Sequence, residues 1–159
     1  MITEAGQKYI SSFDVAHSSC FSYIEDQLGK IKATGIPLVF DFSDVWTEDT
    51  FKNICPDISI AFFSGKEREK EALKEQLEMC VKEYGCEMAV TTIGGRGAVV
   101  YNGRKFYEKL PYNFEGGAID TTGAGDSWIT AFLSSYYAND KKKKGLILNH
   151  EGGITESGL

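Results

Sequence analysis

Residues 119–133, IDTTGAGDSWITAFL, set two glycines and an alanine before an acid and then turn apolar. Two readings follow from those residue types. In one, the stretch is a helix start: Asp126 and Ser127 are N-cap types, and Trp128, Ile129, Ala131, Phe132 and Leu133 supply an apolar helical face. In the other, Gly123, Ala124 and Gly125 leave backbone N–H groups open to an anion at a helix N-terminus, where unpaired donors and the helix dipole favour negative charge. Asp126 would then stand beside the bound anion as a carboxylate, ionised at neutral pH with an ordinary pKa of about 4. It could accept a proton from an attacking alcohol. Phosphoryl transfer asks little more of a base, because its loose transition state depends chiefly on positioning. Spacing alone leaves both readings open.

A second glycine-rich stretch, TTIGGRGA (91–98), contains Thr92, Gly94 and Gly97. Three familiar nucleotide signatures are absent. No GxxxxGK[ST] occurs, the TIGGRG run lies late in the chain and leads into a strand rather than a helix, and protein-kinase signatures are missing. Asp41 and Asp44 follow a buried strand, where a carboxylate could meet a substrate hydroxyl or amine, and Asp44 could equally cap the next helix. His17 reads as a core or rim histidine with its hydrogen bonds satisfied. Cys20, Cys55, Cys80 and Cys86 have neither CxxC nor zinc spacing and read as reduced thiols.

The elements that would position these residues alternate. A strand is expected within 13–21, a helix over 22–35, and a strand at PLVFDF from Pro37. A helix follows at 46–55, starting at a threonine, then a strand over 58–63 and the strongest helix of the chain over 66–84. EMAVTTI, AVVYNG and RKFYEKL complete the strands, with Asn102-Gly103 as a hairpin turn, before the helix that follows Gly125. Strand–helix alternation predicts an α/β, Rossmann-like, mostly parallel sheet with helices on both faces, whose ligands sit beyond the carboxyl ends of the strands. Met1 leads into a helix-like segment. After Ala138 the pattern dissolves, so the expected organisation is a domain over 1–138 and an atypical C-terminal tail over 139–159, either loosely ordered or an unusual terminus.

Composition narrows the function classes. A net charge of −6 and a pI near 5.0 argue against nucleic acid as a bulk electrostatic partner. The basic run Lys141–Lys144 reads as a solvated face. No stretch has membrane-spanning length and no signal peptide is visible, so a cytoplasmic protein is expected. Two histidines make a histidine-based metal site improbable on number alone.

DTTGAGD closely resembles the second signature of the ribokinase-like (PfkB) carbohydrate kinase family, and Thr92, Gly94 and Gly97 match its TxGxxG nucleotide-binding turn. Element order over 13–138 resembles that family's nucleotide-binding half. FDFSDVW, DVAH and IDTTGAGDS are most similar to fructoselysine kinases. The resemblance implies an ATP-dependent sugar kinase with Asp126 as base and Gly123, Ala124 and Gly125 as anion hole. It implies Thr92, Gly94 and Gly97 along the nucleotide, and Asp120 and Thr122 at a monovalent cation such as K+. Glu67 matches the Glu of an Asn-x-x-Glu motif that helps organise Mg2+, although Ser64 replaces the Asn; first-turn helix charge is the alternative for Glu67. Family members are longer, with N-terminal strands, a lid and most sugar contacts beyond what these 159 residues hold. Weak or no turnover is therefore expected of this chain. An incomplete sheet edge invites association, a homodimer among the outcomes. The alternative function is a catalytically incomplete nucleotide-binding or assembly module derived from such a kinase.

Overall fold

Apolar runs too short for helices become four buried strands: β1 (Val15–Ser19), β2 (Leu38–Asp41), β3 (Ile60–Ser64) and β4 (Met88–Thr92). The computed structural model describes residues 1–111, 123–137, 144–148 and 154–158. β1 to β4 pair in parallel, with Ser19 opposite Asp41, Asp41 opposite Phe62, and Ser64 opposite Thr92. β5 (Ala98–Tyr101) and β6 (Phe106–Lys109) form the expected antiparallel hairpin on β4, closed at Asn102 and Gly103. The expected α/β sheet is thus present. Its other edge was not anticipated: β7 (Lys144–Leu148) lies parallel to β1 and β8 (Ile154–Gly158) antiparallel to β7, giving the order β6-β5-β4-β3-β2-β1-β7-β8. GLIL at 145–148 is a short apolar run of strand length, and Gly145, Leu146 and Ile147 pair with β1 within the stretch expected to be a tail.

Pleating separates two cores. On one face Ala16, Phe40, Ala61, Phe63 and Ala89 pack beneath α1 (Glu4–Ile10), α2 (Leu28–Lys32), α3 (Glu48–Ile54) and α4 (Lys70–Lys82). Phe42, Trp46, Phe51 and Phe63 interlock there with ring centroids 4.5–5.1 Å apart. Cys55, Cys80 and Cys86 are buried on this side as free thiols. On the opposite face Val15, Val39, Ile60, Phe62, Met88 and Val90 pack against Ile129 and Leu133 of α5 (Ala124–Tyr137).

Several boundaries differ from the sequence expectation. The helix expected over 22–35 is reduced to α2, because Tyr23 takes a left-handed conformation (φ 49°) and two short 3-10 turns precede Leu28. Tyr23 itself is exposed. α4 starts at Lys70 rather than 66, since Lys66 is also left-handed (φ 42°), so Glu67 is not first-turn helix charge. Asp44 does not cap α3. Thr47 does, in a reciprocal box with Thr50 whose bonds measure 3.2 and 2.8 Å. Asp126 and Ser127 are not N-caps either; α5 begins two residues earlier, and the Ser127 N–H donates to the Gly123 carbonyl at 2.9 Å.

Candidate functional site at the carboxyl rim

Side-chain alternation dictates what lies beneath α5. Val15, Val39 and Val90 face that helix, so His17, Asp41 and Thr92, two residues further along each strand, share its side of the sheet at the carboxyl rim. α5 lies across them against the strand direction. Its far end meets the start of β4: burial, then Tyr136 and Glu87, push the Tyr137 phenol up to about 12. Its near end meets the rim, where the Asp126 carboxylate acts electrostatically on both His17 and Asp41. Strands β1 and β2 and the first turn of α5 therefore bring His17, Asp41 and Asp126 together.

Glycines shape the start of α5. Gly123 takes φ +74°, a conformation other residues adopt only with strain. The Ser127 N–H closes the first intrahelical bond, which leaves the N–H groups of Ala124, Gly125 and Asp126 without helical partners. Among the described residues, a Cβ added at Gly123 or Gly125 would meet nothing within 4 Å. Asp126 is exposed in this first turn.

Asp41 is half-buried. Its Oδ1 accepts the Ser43 N–H at 2.8 Å. Burial pushes its carboxyl above the usual range, the Ser43 bond opposes this, and Asp126 adds to it. His17 is held below its usual value by burial, with Asp126 pulling the other way, so it is a neutral imidazole at pH 7. Its Nε2 is buried without a hydrogen-bond partner, which corrects the expectation of a satisfied histidine. Cys20, next to this cluster, is pushed up to about 11 by burial and then by Asp41, so it is a protonated thiol and no nucleophile.

A second group of residues gathers at the ends of β3 and β4. The Gly65 N–H donates to the Thr92 carbonyl at 2.8 Å, and the Ser64 N–H to the Ser43 carbonyl at 2.7 Å, so the loops after β2, β3 and β4 are stitched together. Arg96 adds a clamp through the carbonyls of Lys66 and of Arg68, the latter at 2.9 Å. Arg68 in turn lies 3.5 Å over the Trp46 ring. Within the turn Ile93–Gly97 the two conspicuous glycines serve different ends. Gly94 (φ +53°) faces open space, whereas a Cβ at Gly97 would sit 2.0 Å from the Lys109 carbonyl oxygen. Gly97 is thus required by the β6 backbone, and Gly94 and Gly95 form the exposed part of the turn. Arg96 carries no weight in a spacing argument, and its role emerges only from the loops it joins.

The remaining expected residues are placed as follows. Asp44 forms an ion pair with Lys66 and accepts a 3.3 Å bond from the Ser43 hydroxyl, which turns it toward the β3 loop. Glu67 is exposed in the clamped loop, and among the described residues no three His, Cys, Asp or Glu side chains gather as a metal cage. Asp120 and Thr122 lie outside the described residues. No described helix is long and apolar enough to cross a membrane.

Comparison with known proteins bears on the family and the fold. The model of the family described as pfkB family carbohydrate kinase matches residues 19–147. Fructosamine kinase FrlD of Bacillus subtilis (strain 168) is 35% identical over 133 residues, which are 84% of this chain and 45% of that protein. Fructoselysine 6-kinase of Escherichia coli (strain K12) is 29% identical over 137 residues, 86% of this chain and 51% of that protein. Among solved structures, Arabidopsis thaliana ribokinase complexed with ribose and ATP superposes with a TM-score of 0.69 at 16% identity, over 94% of this chain and 48% of the other. The microbiome-derived acarbose kinase Mak1 gives a TM-score of 0.70 at 21% identity, over 89% and 49%. At such identities these structures speak for the fold. The chain spans about half the length of the relatives it matches.

Proposed function

Because this chain belongs to the pfkB family of carbohydrate kinases, we propose that its carboxyl rim transfers the γ-phosphoryl group of ATP to a hydroxyl of a small sugar, with a fructosamine such as fructoselysine as the favoured acceptor. The observation that carries this reading is the convergence of Asp126 with the open, glycine-built start of α5. The N–H groups of Ala124 and Gly125 have no intrahelical partner, the carboxylate of Asp126 follows in the same turn, and a Cβ added at Gly123 or Gly125 would meet no described atom within 4 Å.

Each residue has a definite task. The α5 N-terminus stabilises charge that builds on the transferring phosphoryl group, and removing one such donor typically costs about 3 kcal/mol. Asp126 takes the proton of the acceptor hydroxyl as its oxygen bonds to the γ-phosphorus and the bond to the bridging oxygen breaks, leaving ADP. Thr92 and the exposed Gly94 border the place for the nucleotide at the end of β4, while Gly97 keeps that turn against β6. Mg2+, when bound, neutralises phosphate charge, and Glu67 would hold it through water. Asp120 and Thr122 are assigned to a monovalent cation, K+ by family pattern. Asp41 contacts the acceptor, and Asp44 sets the loop through Lys66.

The decisive experiment follows ADP release and sugar phosphorylation with a panel of ketoses and fructosamines, for the wild type and Asp126→Asn. The reading requires acceptor-dependent turnover that falls at least about 100-fold in the variant, the size of a general-base contribution. Equal turnover in both proteins would contradict it.

A further inference from the structure

The proposed reaction gives Arg96 no task. The residue belongs to the glycine-rich turn after β4, which closes on itself: the Ile93 N–H donates to the Gly97 carbonyl at 2.7 Å, and the Arg96 N–H to the Ile93 carbonyl at 3.0 Å. The guanidinium leaves that turn. Its Nη2 donates to two carbonyls of the loop after β3, those of Lys66 and Arg68, which flank Glu67 in the chain. Beyond the Gly65–Thr92 bond, the hydrogen bonds joining the two loops among the described residues both come from Arg96. A cationic donor makes such bonds about twice as strong as neutral ones.

The loop that Arg96 holds is strained. Lys66 has φ 42°, unfavourable for a residue with a Cβ, and the Arg68 N–H closes the turn onto the Gly65 carbonyl at 2.9 Å. Such backbone persists only where its surroundings over-determine it. From the β2 side, Asp44 pairs with Lys66, and Arg68 lies 3.5 Å over the Trp46 ring. The Trp46 indole N–H is in turn pinned to the Ser64 carbonyl at 2.8 Å. From the β4 side the restraint is Arg96. Loosening its two bonds frees the strained turn and the contact that Arg68 makes with Trp46.

We propose that Arg96 is a positioning residue that couples the turn after β4 to the loop carrying Glu67, so that a nucleotide held at the turn and the strained conformation of residues 65–69 stabilise each other. Such coupling is reciprocal, and a released loop weakens nucleotide binding by the factor with which the nucleotide steadies the loop. The proposal rests on the kinase reading for the nucleotide's place, but the link itself is read from the two bonds of Arg96.

The test uses the full 159-residue chain carrying Trp128→Phe, in which Trp46 is the one remaining tryptophan. Without ligand, the Trp46 indole N–H and the Arg68 amide should exchange with solvent at least about tenfold faster in Arg96→Ala, the size of one lost charge-assisted bond, while the Ala89 and Val90 amides of β4 keep their protection. Arg96→Lys, whose ammonium can still donate to a carbonyl, should recover part of the loss. Saturating Mg-ATP should slow Arg68 exchange and change Trp46 emission in the parent. Arg96→Ala should bind Mg-ATP about fivefold or more weakly by calorimetry, the lower end of typical couplings, and its Trp46 emission should no longer respond. Unchanged exchange of both groups in Arg96→Ala overturns the proposal. So does Trp46 emission that responds equally in Arg96→Ala and its parent, or stays unmoved when the parent is saturated. A parent that binds Mg-ATP and shifts Trp46 through Arg96 but never releases ADP to an acceptor would sink the phosphoryl-transfer reading while leaving this coupling standing.

Discussion

Gly97→Ala and Gly94→Ala test whether the glycine-rich turn has been divided correctly into a scaffold part and a ligand part. Both positions have positive φ, +97° and +53°. They differ in what surrounds them. A methyl at Gly97 would overlap the Lys109 carbonyl oxygen at 2.0 Å and crowd Leu110 Cα at 3.1 Å, backbone at and just past the end of β6. With ψ at −142°, Gly97 also occupies a region nearly closed to side chains. Such backbone costs about 1–3 kcal/mol, and forced displacement of packed neighbours about 1–3 more. Together these make about 2–6 kcal/mol, and at roughly 2–4 °C per kcal/mol for a chain of this size Gly97→Ala should lower Tm by about 4–24 °C. Gly94 lies in the ordinary left-handed region with nothing within 4 Å of an added Cβ. Its strain of about 1–2 kcal/mol is partly offset by the reduced freedom of the unfolded chain, so Tm should fall by about 2–4 °C. Thermal unfolding followed by circular dichroism without nucleotide measures both. Two variants melting within about 2 °C of each other would refute the assignment of Gly97 to the β6 contact.

Other consequences concern the core, the ion pair and pH. Phe51→Ala removes a ring with 0% exposure that touches Phe42, Trp46 and Phe63, and denaturant titration should show a loss of about 3–5 kcal/mol. Lys66→Ala breaks the ion pair with Asp44, yet the lysine side chain is 63% exposed, so chemical denaturation should show a change of no more than about 1 kcal/mol. Asp41 has a folded-state pKa raised above its unfolded value, so the group favours folding at low pH and loses that contribution as pH rises through the folded value. Asp41→Asn should therefore raise Tm at pH 7 relative to wild type, with the advantage vanishing below about pH 3.8, the ordinary carboxyl value. His17 runs the other way. Its folded pKa is lowered, so it weakens the fold as pH falls through 6.5 toward the folded value, and His17→Phe should flatten that part of a Tm–pH curve.

Much of the sheet was legible because buried parallel strands are written as apolar runs, and LVF, IAFF and MAVTT can be little else between helical patterns. The start of α5 was legible for a similar reason, since a run of Gly-Ala-Gly before an acid and an apolar face has few structural uses. Boundaries were harder. Tyr23 and Lys66 take left-handed backbone that no propensity announces, and each shortened a helix by several residues. Thr47, not Asp44, caps α3, because the cap must sit next to the first helical residue and Asp44 is drawn to Lys66 instead. The pairing of β7 with β1 joins segments about 130 residues apart, which periodicity cannot see. His17 was missed for a different reason. Its alternation with Val15 placed it on the α5 face, but whether a buried nitrogen finds a partner depends on three elements at once.

The most direct measurement of the central claim is calorimetry of Mg-ATP with the wild type and Gly125→Asp. An added Cβ at Gly125 meets nothing within 4 Å, and an acid in a first helical turn favours the helix, so the variant should fold normally. The account predicts that the wild type binds Mg-ATP and that the new carboxylate, occupying the place of the phosphate, weakens binding at least about tenfold. Equal binding in the two folded proteins, or no binding by the folded wild type, would contradict the assignment of the α5 start as the anion hole.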